Sequence, residues 1–181
     1  MKTKSLERYL NSFGKYIVQQ SRTNLTKGKK NVNKSLYNSI NFKVMTDANG
    51  FSVKFFMNSY GTFVDKGVSG TEEKQQYKSY TGKETTSPYS YKSKQPPTGI
   101  IEKWIKKRGI KARDEKGRFT PITRKSLAFL IARSIKMKGI KSTSFFQRPM
   151  ELGLKKFGKE MLGAIKEDIL KELNQQLTTV K

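Results

Sequence analysis

An α+β fold, with a small antiparallel sheet packed by long amphipathic helices and a helical insertion, follows from two changes of hydrophobic period. Apolar residues recur every three or four positions near the amino terminus, every second position from Ile40 to Met57, and every three or four again in the second half of the chain. A length of 181 residues suffices for one domain with a real core and is short for two. The sequence therefore reads as a single domain over 1–181, with a polar excursion at 69–98 and an inserted helical segment at 98–139.

The first helix is carried by Leu6, Tyr9, Leu10, Phe13, Tyr16 and Ile17, a stripe that predicts a helix over roughly residues 3–24. TKGKKNVNK, polar and glycine-containing, reads as a loop. Ile40, Phe42 and Val44 then alternate with polar residues, Asp47-Ala48-Asn49-Gly50 supplies a turn, and Phe51, Val53, Phe55 and Met57 alternate again, which predicts a β-hairpin. Two strands alone are marginal in water, so its apolar face must pack on a helix. Residues 69–98 carry Tyr77, Tyr80, Tyr89 and Tyr91 among lysines, glycines and hydroxyls with no period, an excursion expected to order on assembly.

Helix returns near Thr98, a cap candidate, with Ile100, Ile101, Trp104 and Ile105 as a stripe and Gly109 as the stop. After KARDEKGRF, Thr120 offers a cap oxygen, Pro121 the first helical position, and Leu127, Leu130, Ile131 and Ile135 an apolar side that ends at Gly139-Ile140 in a Schellman-like close. Ser144 with Gln147, or Pro149 itself, opens a last helix striped by Met150, Leu154, Phe157, Met161, Ile165, Ile169, Leu173 and Leu177.

Lysine and arginine number 38 against 14 acids, a formal charge of +24 with no histidine to modulate it. Such an excess speaks of partners, a polyanion or acidic neighbours in an assembly, unless it is merely the solvated surface of a lysine-rich protein. Apolar residues make up 34% of the chain, yet aromatics reach 11%, so a folded core with a very polar surface is expected. The stretch Leu127–Ala132 is too short to span a bilayer and MKTKSLERYL lacks a signal-peptide core, so a soluble, non-membrane protein is expected.

Catalytic constellations are missing. Without His or Cys there is no triad, HExxH motif or thiolate metal site, and no acidic spacing matches an EF-hand. Gly82-Lys83 is followed by Glu84, and Tyr77 stands where a phosphate-binding loop needs its first glycine. Asp65 with Glu72 and Lys74 could in principle hold a divalent cation for a nuclease, but a loop acid pairing with lysines explains them more simply. A non-enzymatic protein without cofactor is expected. Lys103, Lys106, Lys107, Arg108, Lys111 and Arg113 surround Trp104, a surface suited to duplex phosphates or to an acidic partner. Trp104 itself shares the stripe of Ile101 and Ile105, which assigns its ring to the core.

Three segments, in order, resemble the head–tail joining, neck and tail-completion family of lambdoid siphophages and their relatives. They are Ser39-Ile40 leading into the first strand, Tyr60-Gly61-Thr62-Phe63-Val64-Asp65-Lys66-Gly67 after the second, and Phe145-Phe146-Gln147-Arg148-Pro149 opening the final helix. Each segment also has an ordinary reading in turn and cap chemistry. The resemblance spans about two thirds of the chain and is interrupted from Ser69 to about Lys138. It implies a virion structural protein at the neck, made in the host cytoplasm. Its expected partners are further copies in a closed ring of six or twelve, adjacent connector, portal or tail proteins, and duplex DNA in the channel. The family residues would be Ser39, Ile40, Tyr60, Gly61, Phe63, Val64, Asp65, Gly67, Phe145, Phe146, Arg148 and Pro149, with Phe63, Val64, Phe145 and Phe146 anchoring hairpin and final helix in one unit. The rival reading is a basic nucleic-acid-binding module associated with the phage genome or its packaging, with a nuclease or toxin further off.

Overall fold

The computed structural model describes residues 4–29, 33–47 and 50–179. In chain order they form α1 (Lys4–Lys27), α2 (Ser35–Ser39), β1 (Asn41–Asp47), β2 (Gly50–Phe56), α3 (Gly61–Lys66), β3 (Val68–Ser69), β4 (Gln76–Lys78), β5 (Glu84–Thr86), α4 (Thr98–Arg108), α5 (Arg124–Lys138), β6 (Gly139–Ile140) and α6 (Gln147–Thr179). The fold is α+β, its strands joined as antiparallel pairs β1–β2, β3–β6 and β4–β5. The expected turn residues Ala48 and Asn49 lie outside the described residues.

Where the sequence reads as one domain with an insertion, the chain divides into two compact units. Residues up to Ser59, Ser79–Gly82 and those from Phe145 onward make the first, and Tyr60–Lys78 with Lys83–Ser144 the second.

In the first unit α1 is the central element. Leu10, Ile17, Val18, Ser21 and Leu25 are buried along it. The hairpin follows from the alternation, pairing Phe42 with Phe55 and Val44 with Val53, and its apolar face meets α1 where the helix carries no side chain: a Cβ on Gly14 would lie 2.2 Å from the Phe42 ring. α6 comes equally close at Gly153, where a Cβ would lie 2.6 Å from Ile17 Cδ1. Ring contacts fill in around these approaches. Phe157 of α6 sits 5.6, 5.7 and 5.4 Å from Tyr9, Phe13 and Tyr16, while Phe55 of β2 meets Phe13, Phe42 and Phe146. Each such pair adds about 0.5–1.5 kcal/mol beyond area burial.

The stripe foreseen on α6 is only partly covered. Leu154 and Ile169 are nearly half exposed, as are Leu152 and Leu170, while Leu162 is 68% exposed. The side chains of Leu173 and Leu177 lie outside those described. The reason is geometric: from Met150 to Leu177 the stripe steps about 3.9 residues per turn, so it winds around a 3.6-residue helix and one straight neighbour cannot cover it. The close contact instead turns Gly153 and Phe157 toward α1.

At the other end of this interface Asp168 of α6 accepts hydrogen bonds from the backbone N–H of Leu6 (3.0 Å) and Ser5 (3.3 Å), two of the free donors in the first turn of α1. The Leu6 bond above all holds the Asp168 carboxyl below its ordinary range, with Ser5 and Lys171 acting in the same direction.

The second unit has a small core in which Ile101 and Ile105 of α4 meet Ala128 and Ala132 of α5, flanked by Ile110, Leu127, Ile131 and Ile135. α4 stops at Gly109, in the left-handed region as foreseen, but begins after Pro97 with no side-chain cap from Thr98. α5 begins later than expected. Thr120 is held in the loop by its N–H bond to Ala112 O (3.2 Å), and Thr123 is the cap, accepting from Ser126 N–H at 3.2 Å. Trp104 is 40% exposed, which corrects its assignment to the core: one partner helix covers the Ile101–Ile105 ridge and leaves Ile100 and Trp104 outside it.

Two outcomes test this packing. Phe145, 1% exposed, should cost about 3–5 kcal/mol when replaced by alanine, whereas Leu162→Ala should change stability by less than about 0.5 kcal/mol in the same urea titration. For Asp168, whose folded pKa is lowered, the stabilisation is complete above the unfolded carboxyl pKa and disappears as pH falls through the folded one. The protection factor of the Leu6 amide, its exchange rate relative to the intrinsic rate at the same pH, should therefore fall on acidification in the wild type and already be low at neutral pH in Asp168→Ala.

Candidate functional site

The motif residues of the second unit form a main-chain knot. Gly61–Lys66 is a helical turn rather than a loop, and its carbonyls tie down the irregular segment 142–144 that precedes α6: Thr143 N–H and Oγ1 both donate to Val64 O, while Ser144 N–H (2.9 Å) and Ser142 Oγ (2.7 Å) donate to Asp65 O. Gly67, at φ 74°, leads into β3, and Ser87 Oγ donates to Gly67 O at 2.7 Å. β3 pairs with β6 through Val68–Ile140 and Ser69–Gly139. Gly139 ends α5 through its N–H bond to Ile135 O and continues as strand at φ 81°, so the Schellman-like close expected there becomes a helix-to-strand switch. Its place admits no side chain, since a Cβ would lie 2.1 Å from Val68 O.

The expected structureless excursion 69–98 is threaded into this knot. Ser69 N–H donates to Tyr89 O and Tyr91 N–H to Ser69 O, both at 2.8 Å, while Gln76–Lys78 pairs with Glu84–Thr86. Backbone pairing with distant segments, rather than apolar burial, orders it, which is why no hydrophobic period announces it.

On this base the side chains of the motif divide. Gly61, Asp65 and Gly67 are buried, whereas Tyr60 (41% exposed) and Phe63 (43% exposed) stand out, with half-buried Val64 beside them. Together with Val68, Tyr89 and Ile140 they line an open apolar cleft of about 670 Å³, Phe63 stacking edge-on to Tyr89 at 4.5 Å. Burial raises the Tyr91 phenol, also on this cleft, above its ordinary range.

The other motif residues belong to the first unit. Ile40 and Phe145 are fully buried and Pro149 nearly so; Arg22 of α1 donates to Ile40 O at 2.9 Å, and Ser39 Oγ accepts from Asn58 N–H at 3.1 Å. Phe146 packs on Phe55 at 5.4 Å, and Arg148 is exposed. Phe146 thus joins the final helix to the hairpin, and Phe145 is buried within the same unit. Phe63 and Val64 are corrected: they serve the second unit, because α3 is stitched to residues 142–144 and 87–91.

The basic residues Lys103, Lys106, Lys107, Arg108, Lys111 and Arg113 are all exposed. Arg113 and Lys111 lie 4.3 and 5.3 Å from the centre of the Phe119 ring, itself 61% exposed and not singled out by the sequence pattern. Among the described residues no group of three acids is placed to hold a metal, and no helix is long and apolar enough to cross a membrane. Asp65 is built into the knot, whereas Glu72 and Lys74 are exposed. No protein-family model, curated protein or solved structure matches the chain.

Replacing Gly139 by alanine should destabilise the second unit by more than the roughly 1–2 kcal/mol that a left-handed backbone costs, since it adds a main-chain collision. Gly117→Ala, also at positive φ but with open space around it, should cost only the backbone part when the two are compared by thermal unfolding.

Proposed function

We propose that this chain is a virion structural protein of a tailed bacteriophage, a ring-forming subunit of the neck or tail-completion region that joins capsid to tail, and that it is not an enzyme. The observation that carries the reading is the division within the Tyr60–Gly67 motif: its backbone is a rigid knot, and its aromatic side chains are presented outward around an apolar cleft. Exposed aromatics on a fixed scaffold are the make-up of an interface anchor. The exposed aliphatic residues of α6 extend the argument, since a helix of 33 residues carrying Leu152, Leu162 and Leu170 on its outer side calls for cover by other chains. Neighbouring copies in a closed ring and the adjoining connector, portal or tail proteins supply that cover, and the assembled virion is its location.

Assembly in infected cells tests this. A phage lacking the protein should yield filled or leaking heads without joined tails, and Phe63→Ala should give the same particles while the purified variant remains folded by circular dichroism. Normal tailed particles from the null phage would end the structural reading.

A further inference from the structure

We infer that α4, α5 and the loop between them form a surface that binds the phosphate backbone of double-stranded DNA without reading its sequence. This inference does not depend on the ring. Residues 98–138 hold thirteen lysines and arginines against three acids. Twelve of those cations are exposed, Lys136 being half-buried. Local structure accounts for a few of them: Lys106, Lys107 and Arg108 occupy the last turn of α4, where a cation complements the helix dipole, and Arg118 pairs with Asp114 at 3.2 Å.

Other cations stand where local electrostatics disfavours them. α5 opens with Arg124 and Lys125 at the positive end of its own dipole, with no acid in its first turn. Beside that end lies a cleft of about 260 Å³ lined by Lys111, Thr120 and Arg124 together with Ile105, Ile110 and Leu127. Thr120 Oγ1 is buried without a hydrogen-bond partner. Two cations and a helix amino end beside one small cleft favour an oxyanion there. Arg113, held over Phe119, extends the positive surface beyond the rim, and Lys125 extends it along the first turn of α5.

The residue types also say what kind of polyanion fits. Between Thr98 and Lys138 there is no asparagine or glutamine, so bidentate reading of adenine edges is not provided for. The most exposed aromatic ring, Phe119, carries two cations instead of an open face for an unstacked base. Closely spaced phosphates of a paired duplex match this surface better than a single strand does.

Fluorescence anisotropy of the full-length protein on a labelled duplex of about 30 base pairs, at several salt concentrations, provides the test. Affinity should fall steeply and linearly on a log–log plot against salt. Lys111→Ala with Arg124→Ala should weaken binding about tenfold or more and reduce the slope by about two, one for each phosphate that is no longer neutralised. Arg113→Ala with Lys125→Ala should act in the same direction, giving a second reading should the first variant fold poorly. Lys43→Ala with Lys54→Ala, which removes two exposed cations of the hairpin, should leave both values nearly unchanged. Equal loss from the hairpin variant, tighter binding of a single strand of the same length, or equal displacement of the duplex by polyglutamate would each overturn the inference, the last in favour of an acidic protein partner.

Discussion

Everything in the first unit depends on how closely α1 lets two neighbours approach. Gly14 and Gly153 remove the side chains that would hold the hairpin and α6 away, one glycine on each side of the contact plane. Between them Phe13 touches both Phe55 and Phe157, so the rings of sheet and long helix meet through one residue of α1. A two-stranded sheet has too little apolar face to persist alone, and here it is held by a helix that α6 holds in turn. Buried Ile17 and Leu25 sit on the same helix, and Arg22 fixes the chain at Ile40 as it leaves α2 for β1. The core therefore combines buried aliphatic residues of α1, α2 and Ile40 with half-buried rings set around close backbone approaches.

The second unit solves the same shortage of apolar residues differently. Its core is eight residues of α4, α5 and their flanks, and the rest is held by main-chain bonds among segments far apart in sequence. Val64 and Asp65 present their carbonyls to Ser142, Thr143 and Ser144, whose hydroxyl and N–H groups become structural donors, so that Ser144, read as a cap candidate for α6, donates its N–H to Asp65 O instead. Gly139 lets two backbones cross at a distance no other residue permits. Such a knot leaves the motif's aromatic side chains unneeded inside, and Tyr60 and Phe63 are free to face outward.

The contrast between the units explains what the sequence discloses. Where burial organises the chain, its period is visible: α1 and the hairpin were legible from spacing, and the stop of α4 from Gly109 after its stripe. Where backbone bonds organise it, nothing periodic marks the event, so the pairing of Ser69 with Tyr89 and Tyr91 and the strands at 76–78 and 84–86 stayed hidden. Trp104 and the α6 stripe failed for a third reason. Periodicity shows which residues share a face, but not how much of that face a neighbour covers; α4 has one partner ridge, and the α6 stripe winds past the reach of α1. The cleft by Thr120 was missed because the sequence reading assigns Thr120 as the cap of α5, whereas Thr123 is the cap and the bond to Ala112 O holds Thr120 in the loop.

Charge and exposed apolar surface pull in opposite directions in this chain. Tyr60, Phe63 and the outer leucines of α6 favour contact between copies, while a net +24 on every copy opposes it. Salt weakens the repulsion over a Debye length of about 8–10 Å and leaves apolar contact nearly untouched, so it shifts the balance toward self-association. A polyanion seated on the α4–α5 surface would shift it the same way by neutralising the cations directly. On the proposed reading, salt and DNA would act alike on assembly but compete with each other at the α4–α5 surface, because added salt also releases DNA. Such a chain would assemble poorly alone in dilute buffer and better where an anionic partner is already in place, so that electrostatics alone, with no conformational switch, would tie self-association to that partner.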